Sequence, residues 1–363
     1  MSRPPTPVLL DCDPGIDDAL AIAYLVAEHL AGRIELVGVV CTAGNVGLDD
    51  TVANALAWLD LAGAPPLPVC AGAAGAIAVP HVFTPETHGP RGAGYAVLEV
   101  GTGAETATKA TTGAPGMTTT TTTRRADPRD GAELWVDAAR AHSGELVAIV
   151  TGPSSTLASA LAAEPALPGL VGDLVVMGGT FRGHPGNTTP VSEWNVDVDP
   201  EAADAVCLAW EDANNAHARV RGPLWCGLNL TERAVWTPER SARLVAAADT
   251  SLTRALAEAL RFYFEFHESV GEGYLAQVHD PFVAWLALHP DAVESVPARV
   301  RVECRGEHTR GMTVEDRRGH RGRAPSARIA TDVRTPGGPS AVLDDICAAI
   351  ASLAGSGSTG GPG

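Results

Sequence analysis

The chain is 363 residues long, 45% hydrophobic and 19% charged, with a formal net charge of −17. That length allows one large domain or two ordinary ones around a sizeable core. The negative charge argues against nucleic acid and anionic membrane as partners, because both demand a basic face. No basic-then-apolar segment opens the chain, and no apolar run reaches the ~20 residues of a membrane span, so a soluble, cytoplasmic protein is expected.

From the N-terminus, short apolar runs alternate with helical patterns. Val8–Asp11 reads as a buried strand and Asp17–Leu30 as a helix that opens on acidic residues. Ile34–Cys41 follows as a strand, Asp49–Leu61 as a helix and Leu67–Ala71 as a short strand. Gly101–Gly131 breaks the rhythm: Thr118–Thr123 lies there among Ala, Gly and Pro with almost no large apolar residue. Residues 101–131 are therefore expected to be a disordered insertion. The alternation resumes with helix Ala132–His142, strand Glu145–Val150, helix Ser154–Ala163 and strand Asp173–Met177. Glu211–Gly222 and Arg317–Pro325 read as surface loops, Leu260–Val270 as a helical stretch, and the Gly/Ser-rich tail 355–363 as frayed.

Strands of roughly 4–8 apolar residues separated by helices imply βαβ units. The expected fold is α/β, a single domain over residues 1–354 built on an open, mostly parallel β-sheet flanked by helices. In such sheets ligands sit beyond the carboxyl ends of the strands. The seven cysteines show no CxxC pair or Cys/His metal spacing, so buried free thiols are expected.

Asp11-Cys12-Asp13-Pro14-Gly15-Ile16-Asp17-Asp18 sets four carboxylates in eight residues where a strand turns into a helix. Such crowding is costly unless a cation or shared proton offsets the repulsion. Hard oxygen ligands suit Ca²⁺ or Mg²⁺, and the Pro-Gly pair permits the tight turn that lets the carboxylates converge. Helix capping accounts for Asp17 or Asp18 but not for Asp11 and Asp13 as well. An EF-hand is excluded, because the position where that loop needs Glu is Ile22. A Mg²⁺-dependent phosphatase with Asp11 as nucleophile is a rival, although its DxDxT pattern fails at Gly15.

Leu10–Ala19 resembles the signature of the inosine–uridine-preferring nucleoside hydrolase family, and further segments match in chain order. Thr42-Ala43-Gly44-Asn45 is similar to the family's turn after the second strand, and Thr151-Gly152-Pro153 to its third-strand turn. Met177-Gly178-Gly179, Asn187 and Glu193-Trp194-Asn195 resemble its ribose-binding stretch. His279-Asp280-Pro281 resembles its late His-Asp-Pro, and Gly311–Val314 a segment near the C-terminus. The resemblance runs from about residue 7 to 350.

The resemblance implies a Rossmann-like nucleoside hydrolase fold that cuts the N-glycosidic bond of ribonucleosides to free base and ribose. It also implies Ca²⁺ as cofactor and a homodimer or homotetramer. Residue by residue, it implies Asp13, Asp18, Asp280 and the Thr151 carbonyl as Ca²⁺ ligands. Asp13 would also be the general base for the Ca²⁺-bound water. Asp17, Asn45, Asn187, Glu193 and Asn195 would hydrogen-bond the ribose, with Asp11 as a supporting carboxylate.

The chemistry asks for the same residue types. A ribosyl N–C bond breaks through an oxocarbenium-like transition state, which nearby carboxylates stabilise while a metal positions the water. The departing base needs a proton. His279 is the candidate acid, since an ordinary imidazole pKa of ~6.5 suits donation near neutrality. His88 is similar to a family histidine near the base pocket, and Tyr263 and His267 lie on a stretch that lines the base side in the family. An amphipathic core helix explains the last two equally well. Trp194 stands where many relatives have Phe, either stacking beside the substrate or packing, and Thr156 stands where many keep Asn. A non-catalytic nucleoside- or pentose-binding protein is the remaining rival. Base preference does not follow from these residues.

Overall fold

The computed structural model describes residues 4–100, 111–112, 118–216 and 220–356. Its centre is the run ValLeuLeu at positions 8–10, three apolar residues with no exposed surface. Val8, Leu10 and Cys12 point into one core and Leu9 into the other. A strand covered on both faces reads as a continuous apolar run instead of an alternating one.

That strand, β1 (Thr6–Cys12), belongs to a ten-stranded sheet. The others are β2 (Ile34–Cys41), β3 (Val69–Ala71), β4 (Asp127–Asp130), β5 (Val147–Val150), β6 (Asp173–Met177), β7 (Leu224–Cys226), β8 (Val293–Val302), β9 (Thr313–Asp316) and β10 (Ala327–Val333). The spatial order is β9-β8-β10-β7-β6-β5-β1-β2-β3-β4. Strands from β10 through β4 run parallel, and β8 pairs antiparallel with both β10 and β9. The register aligns Cys12 with Cys41, Asp11 with Val150, and Val150 with Val176. The residues after these strands therefore emerge side by side at one end of the sheet.

Helices Ile16–Leu30, Leu48–Leu61, Ser251–Ser269, His279–Leu288 and Gly338–Ser356 pack on one face. Helices Gly131–Ala141, Ser155–Ala163 and Pro200–Ala216 cover the other. The chain is a single α/β domain, as expected. All seven cysteines are free, five of them buried. Among the described residues no helix is long and apolar enough to cross a membrane.

Two expectations need correction. Glu211 does not open a surface loop: residues up to Ala216 complete helix Pro200–Ala216, and Glu211 is buried in an ion pair with Arg299 at 2.9 Å. The polar string GluAspAlaAsnAsn hid a helix whose apolar face ends at Trp210. Part of the stretch 101–131 is ordered as well. Asp127–Asp130 is the edge strand β4, Arg124 pairs with Asp60 at 2.6 Å, and Asp130 caps helix Gly131–Ala141. Charge pairs and a cap hold this segment, so a search for apolar residues does not detect it. Residues 101–110 and 113–117 of the expected insertion, and 357–363 of the expected tail, lie outside the described residues. Residues 317–325 are exposed turns, as read from the sequence.

Candidate active site

The turn after β1 delivers four aspartates, and each meets a different partner. Asp11 ends inside the sheet, where Thr42 Oγ1 donates to Oδ1 at 2.8 Å and Trp135 Nε1 to Oδ2 at 2.7 Å. Burial pushes its pKa up to about 7 against these two hydrogen bonds. Asp13 projects the other way, between the turns after β2 and β5. A Cβ at Gly44 would overlap its Oδ2, and one at Gly152 would stand 2.8 Å from its Oδ1. Two glycines therefore make the space that this carboxylate occupies. The Asn45 backbone N–H donates to Asp13 Oδ2 at 2.8 Å, and Asn45 Nδ2 to the Asp13 carbonyl at 3.1 Å.

Asp17 and Asp18 occupy the first turn of helix Ile16–Leu30, where a helix N-terminus favours negative charge. Asp18 Oδ2 accepts from the Gly15 N–H and Oδ1 from Thr151 Oγ1, both at 2.9 Å. Asp17 Oδ2 accepts the backbone N–H groups of His279 at 3.1 Å and Asp280 at 3.4 Å. Asp17, Asp18 and Asp280 each place one oxygen within 4.8 Å of the others, and all three are buried.

No arginine pairs with Asp11, Asp13, Asp17, Asp18 or Asp280 among the described residues. Burial, followed by the neighbouring carboxylates, raises the pKa of Asp13 and Asp280. The same causes bring Asp17 up to about 7. Buried like charges this close hold protons or a cation. The donor set is entirely oxygen, which suits a hard divalent ion. Asp17, Asp18 and Asp280 converge on one point, while the family resemblance implies Asp13, Asp18 and Asp280 as ligands and Asp17 as a sugar contact. Asp13 lies alongside, and its charge reaches Asp280.

Beside this cluster, Glu193 caps the short helix Trp194–Val198. Its carboxylate takes three backbone N–H bonds, from Asn195 and Gly179 at 2.8 Å and from Val196 at 3.1 Å. Burial outweighs them and raises its pKa to about 7. Asn195 Nδ2 donates to the Thr151 carbonyl at 2.6 Å, and Asn187 Oδ1 accepts the Trp194 N–H at 3.0 Å. Trp194 is half-buried, and its Nε1 has no hydrogen-bond partner among the described residues.

Most of these groups line a cavity of about 370 Å³. Asp13, Asp17, Asn45, Thr151, Asn187, Glu193, Trp194, Asn195 and Asp280 all reach it, whereas Asp11 and Asp18 lie behind them. His88, Tyr263, Phe266, His267, Gln277 and His279 line the same cavity. Tyr263 packs against His267 with ring centres 4.5 Å apart, and against His88 at 5.3 Å.

Burial favours the neutral form of the imidazoles. His88 Nδ1 accepts the Ile16 N–H at 3.1 Å, so its Nε2 carries the proton. His267 Nδ1 donates to the Tyr263 carbonyl at 2.9 Å, leaving its Nε2 as an acceptor. His279 Nδ1 lies 2.9 Å from Thr231 Oγ1. Burial pushes His88 and His279 down to about 3. An ordinary imidazole pKa near neutrality, the basis for choosing His279 as the acid, does not apply in this setting. Any proton from these rings comes from a neutral N–H.

Sequence reasoning missed Phe266 and Gln277 in the wall and Trp135 beneath Asp11. Phe266 was legible, since Tyr263, Phe266 and His267 share a helix face at i, i+3 and i+4. Trp135 was not, because 124 residues separate it from Asp11.

The family model described as inosine-uridine preferring nucleoside hydrolase matches residues 8–337. The chain is 32% identical over 333 residues to the pyrimidine-specific ribonucleoside hydrolase RihA of Shewanella woodyi, covering 91% of this chain and 95% of that protein. It is 31% identical over 334 residues to RihA of Citrobacter koseri, with the same coverage. Among solved structures, it matches the purine-preferring ribonucleoside hydrolase from Gardnerella vaginalis with a TM-score of 0.80 at 26% identity, over 96% of this chain and 99% of that one. With its strand-end carboxylates and its match over nearly the whole length, the chain belongs to the inosine-uridine preferring nucleoside hydrolase family and is an N-glycosidase.

Proposed function

We propose that the protein hydrolyses ribonucleosides to free base and ribose with Ca²⁺ held at the aspartate cluster. One observation carries this reading: buried carboxylates, without cationic partners among the described residues, share a cavity with aromatic and imidazole rings. Asp17, Asp18, Asp280 and the Thr151 carbonyl are the groups that would hold the ion, with Asp13 beside them. When bound, the ion offsets their charge, acidifies water and fixes the sugar hydroxyls.

The protein's own groups supply the remaining steps. Asp13, whose side chain is confined by Gly44 and Gly152, takes the proton from the attacking water as oxygen bonds to the anomeric carbon. Asn187, Glu193 and Asn195 orient the ribose, and the carboxylates stabilise positive charge as the C–N bond breaks. The electron pair leaves with the base, which gains a proton on the imidazole side, where His88 Nε2–H and His279 lie.

The phosphatase alternative needs Asp11 as a nucleophile, yet Asp11 lies behind the cavity with both oxygens engaged. The RihA relatives are pyrimidine-specific and the Gardnerella vaginalis neighbour is purine-preferring, so both base classes belong in the test. Purine and pyrimidine nucleosides are assayed for free base after chelation and after Ca²⁺ addition. Release that stops on chelation and returns with Ca²⁺ is expected. Binding without release, or release indifferent to chelation, overturns the proposal.

A further inference from the structure

Beneath the cavity runs a chain of buried hydrogen bonds that the proposed chemistry does not use. The Ala73 backbone N–H donates to Thr156 Oγ1 at 2.9 Å, and the Thr156 and Thr42 hydroxyls lie 2.6 Å apart. Thr42 Oγ1 donates to Asp11 Oδ1 at 2.8 Å, while Trp135 Nε1 holds the other carboxylate oxygen at 2.7 Å. The ends of the chain set its direction. A backbone N–H can only donate, so the Thr156 oxygen accepts there and its single proton turns to Thr42. Thr42 then donates to Asp11, which accepts at both oxygens. Asp11, Thr42, Thr156 and Trp135 are all fully buried, so a broken link leaves a polar group with no water to replace its partner.

The chain ties three loops together. Thr42 begins the turn whose Asn45 grips Asp13 at two points. Ala73 begins the loop that leads to Thr84, Thr87 and His88 in the cavity wall, and its carbonyl accepts the Ala43 N–H at 2.9 Å. Thr156 sits in the first turn of helix Ser155–Ala163. Its neighbour Ser155 and the loop's Ile77 N–H both donate to Asp199 Oδ2, at 2.6 and 3.0 Å. A Cβ at Gly72 would overlap Thr156 Oγ1, so the loop is seated directly on that hydroxyl.

We propose that Thr156 is a positioning residue for the hydrolysis. It holds the loop after β3 where its far end forms the cavity wall. Through Thr42 and Asp11 it also steadies the turn that presents Asn45 to Asp13. The inference rests on the reading that the nucleoside occupies this cavity.

T156V keeps the size of the side chain and removes its hydroxyl. With inosine and uridine, its KM is expected to rise about tenfold with a smaller fall in kcat, the scale of one lost buried hydrogen bond. T156S restores the hydroxyl and is expected to return KM to within about twofold of wild type, whereas T42V reproduces the rise. The double variant T42V/T156V is no worse than the worse single one, because both cut the same chain. Unchanged KM in folded T156V, or T156S as impaired as T156V, overturns the proposal. Should T156V not fold, T156A and T42V are read against T156S in the same way. Wild-type enzyme that releases no base from either nucleoside refutes the occupancy of the cavity instead.

Discussion

The two sides of the cavity are built differently. The carboxylate groups stand at a strand end and at helix starts, and they are fixed by backbone N–H bonds: Asn45 to Asp13, Gly15 to Asp18, residues 279 and 280 to Asp17, and three to Glu193. The imidazole side hangs on helix Ser251–Ser269 and the segment 84–88, packed ring against ring. The carboxylates accept from main-chain donors, whereas the rings of His88, Tyr263 and His267 hold one another by packing as well as by single backbone bonds. On the proposed reading, the ribose and the hydrolytic step fall to the carboxylate groups and the choice of base to the rings.

The sharpest way to break this division is D13N, which keeps the shape and removes the base. Loss of about 10²–10⁴-fold in kcat is expected for every nucleoside, measured by free-base release. Equal activity would remove Asp13 from the mechanism. G44A comes next. Its added methyl meets the Asp13 carboxylate, and displacing that group is expected to cost about 10²-fold in kcat, again regardless of the base. A stability change without a rate change would dissociate the glycine from the chemistry.

F266A tests the other side. It is expected to change the ratio of kcat/KM between uridine and inosine by about tenfold, a shift D13N does not produce. Parallel losses on both substrates would contradict the division of labour.

The smallest effect expected concerns pH. Asp11, Asp17 and Glu193 have folded pKa values raised to about 7, so their contribution to stability is complete below about pH 4 and lost as pH rises through 7. His88 and His279 are lowered to about 3, so their contribution is present above about pH 6.5 and lost as pH falls. The two limbs oppose each other in metal-free protein. A cation stabilises only ionised carboxylates, so the gain in Tm from added Ca²⁺ is expected to be larger at about pH 8 than at about pH 5. An equal gain at both would place the ion away from these groups.

The same asymmetry decided what could be read beforehand. The bounds read for the strands Ile34–Cys41 and Asp173–Met177 are those observed, because continuous apolar runs define buried parallel strands. Asp13, Asn45 and Thr151 were legible because they lie in short segments directly after such strands. What those segments could not reveal was partnership. Asp17 and Asp18 are neighbours on one helical turn, and they are distinguished by the docking of residues 279 and 280 on the first and of Gly15 and Thr151 on the second. The environment of His279 was equally hidden, since its burial arises from elements far away in the chain.

The bond from the His279 N–H to Asp17 joins residues 262 positions apart. The aspartate signature is made early in synthesis, but its geometry is not complete until helix His279–Leu288 has docked on helix Ile16–Leu30. An incompletely made molecule carries all four N-terminal aspartates and lacks both Asp280 and the two N–H groups that aim Asp17. The aspartate site is therefore complete only once a helix 262 residues downstream of Asp17 has docked.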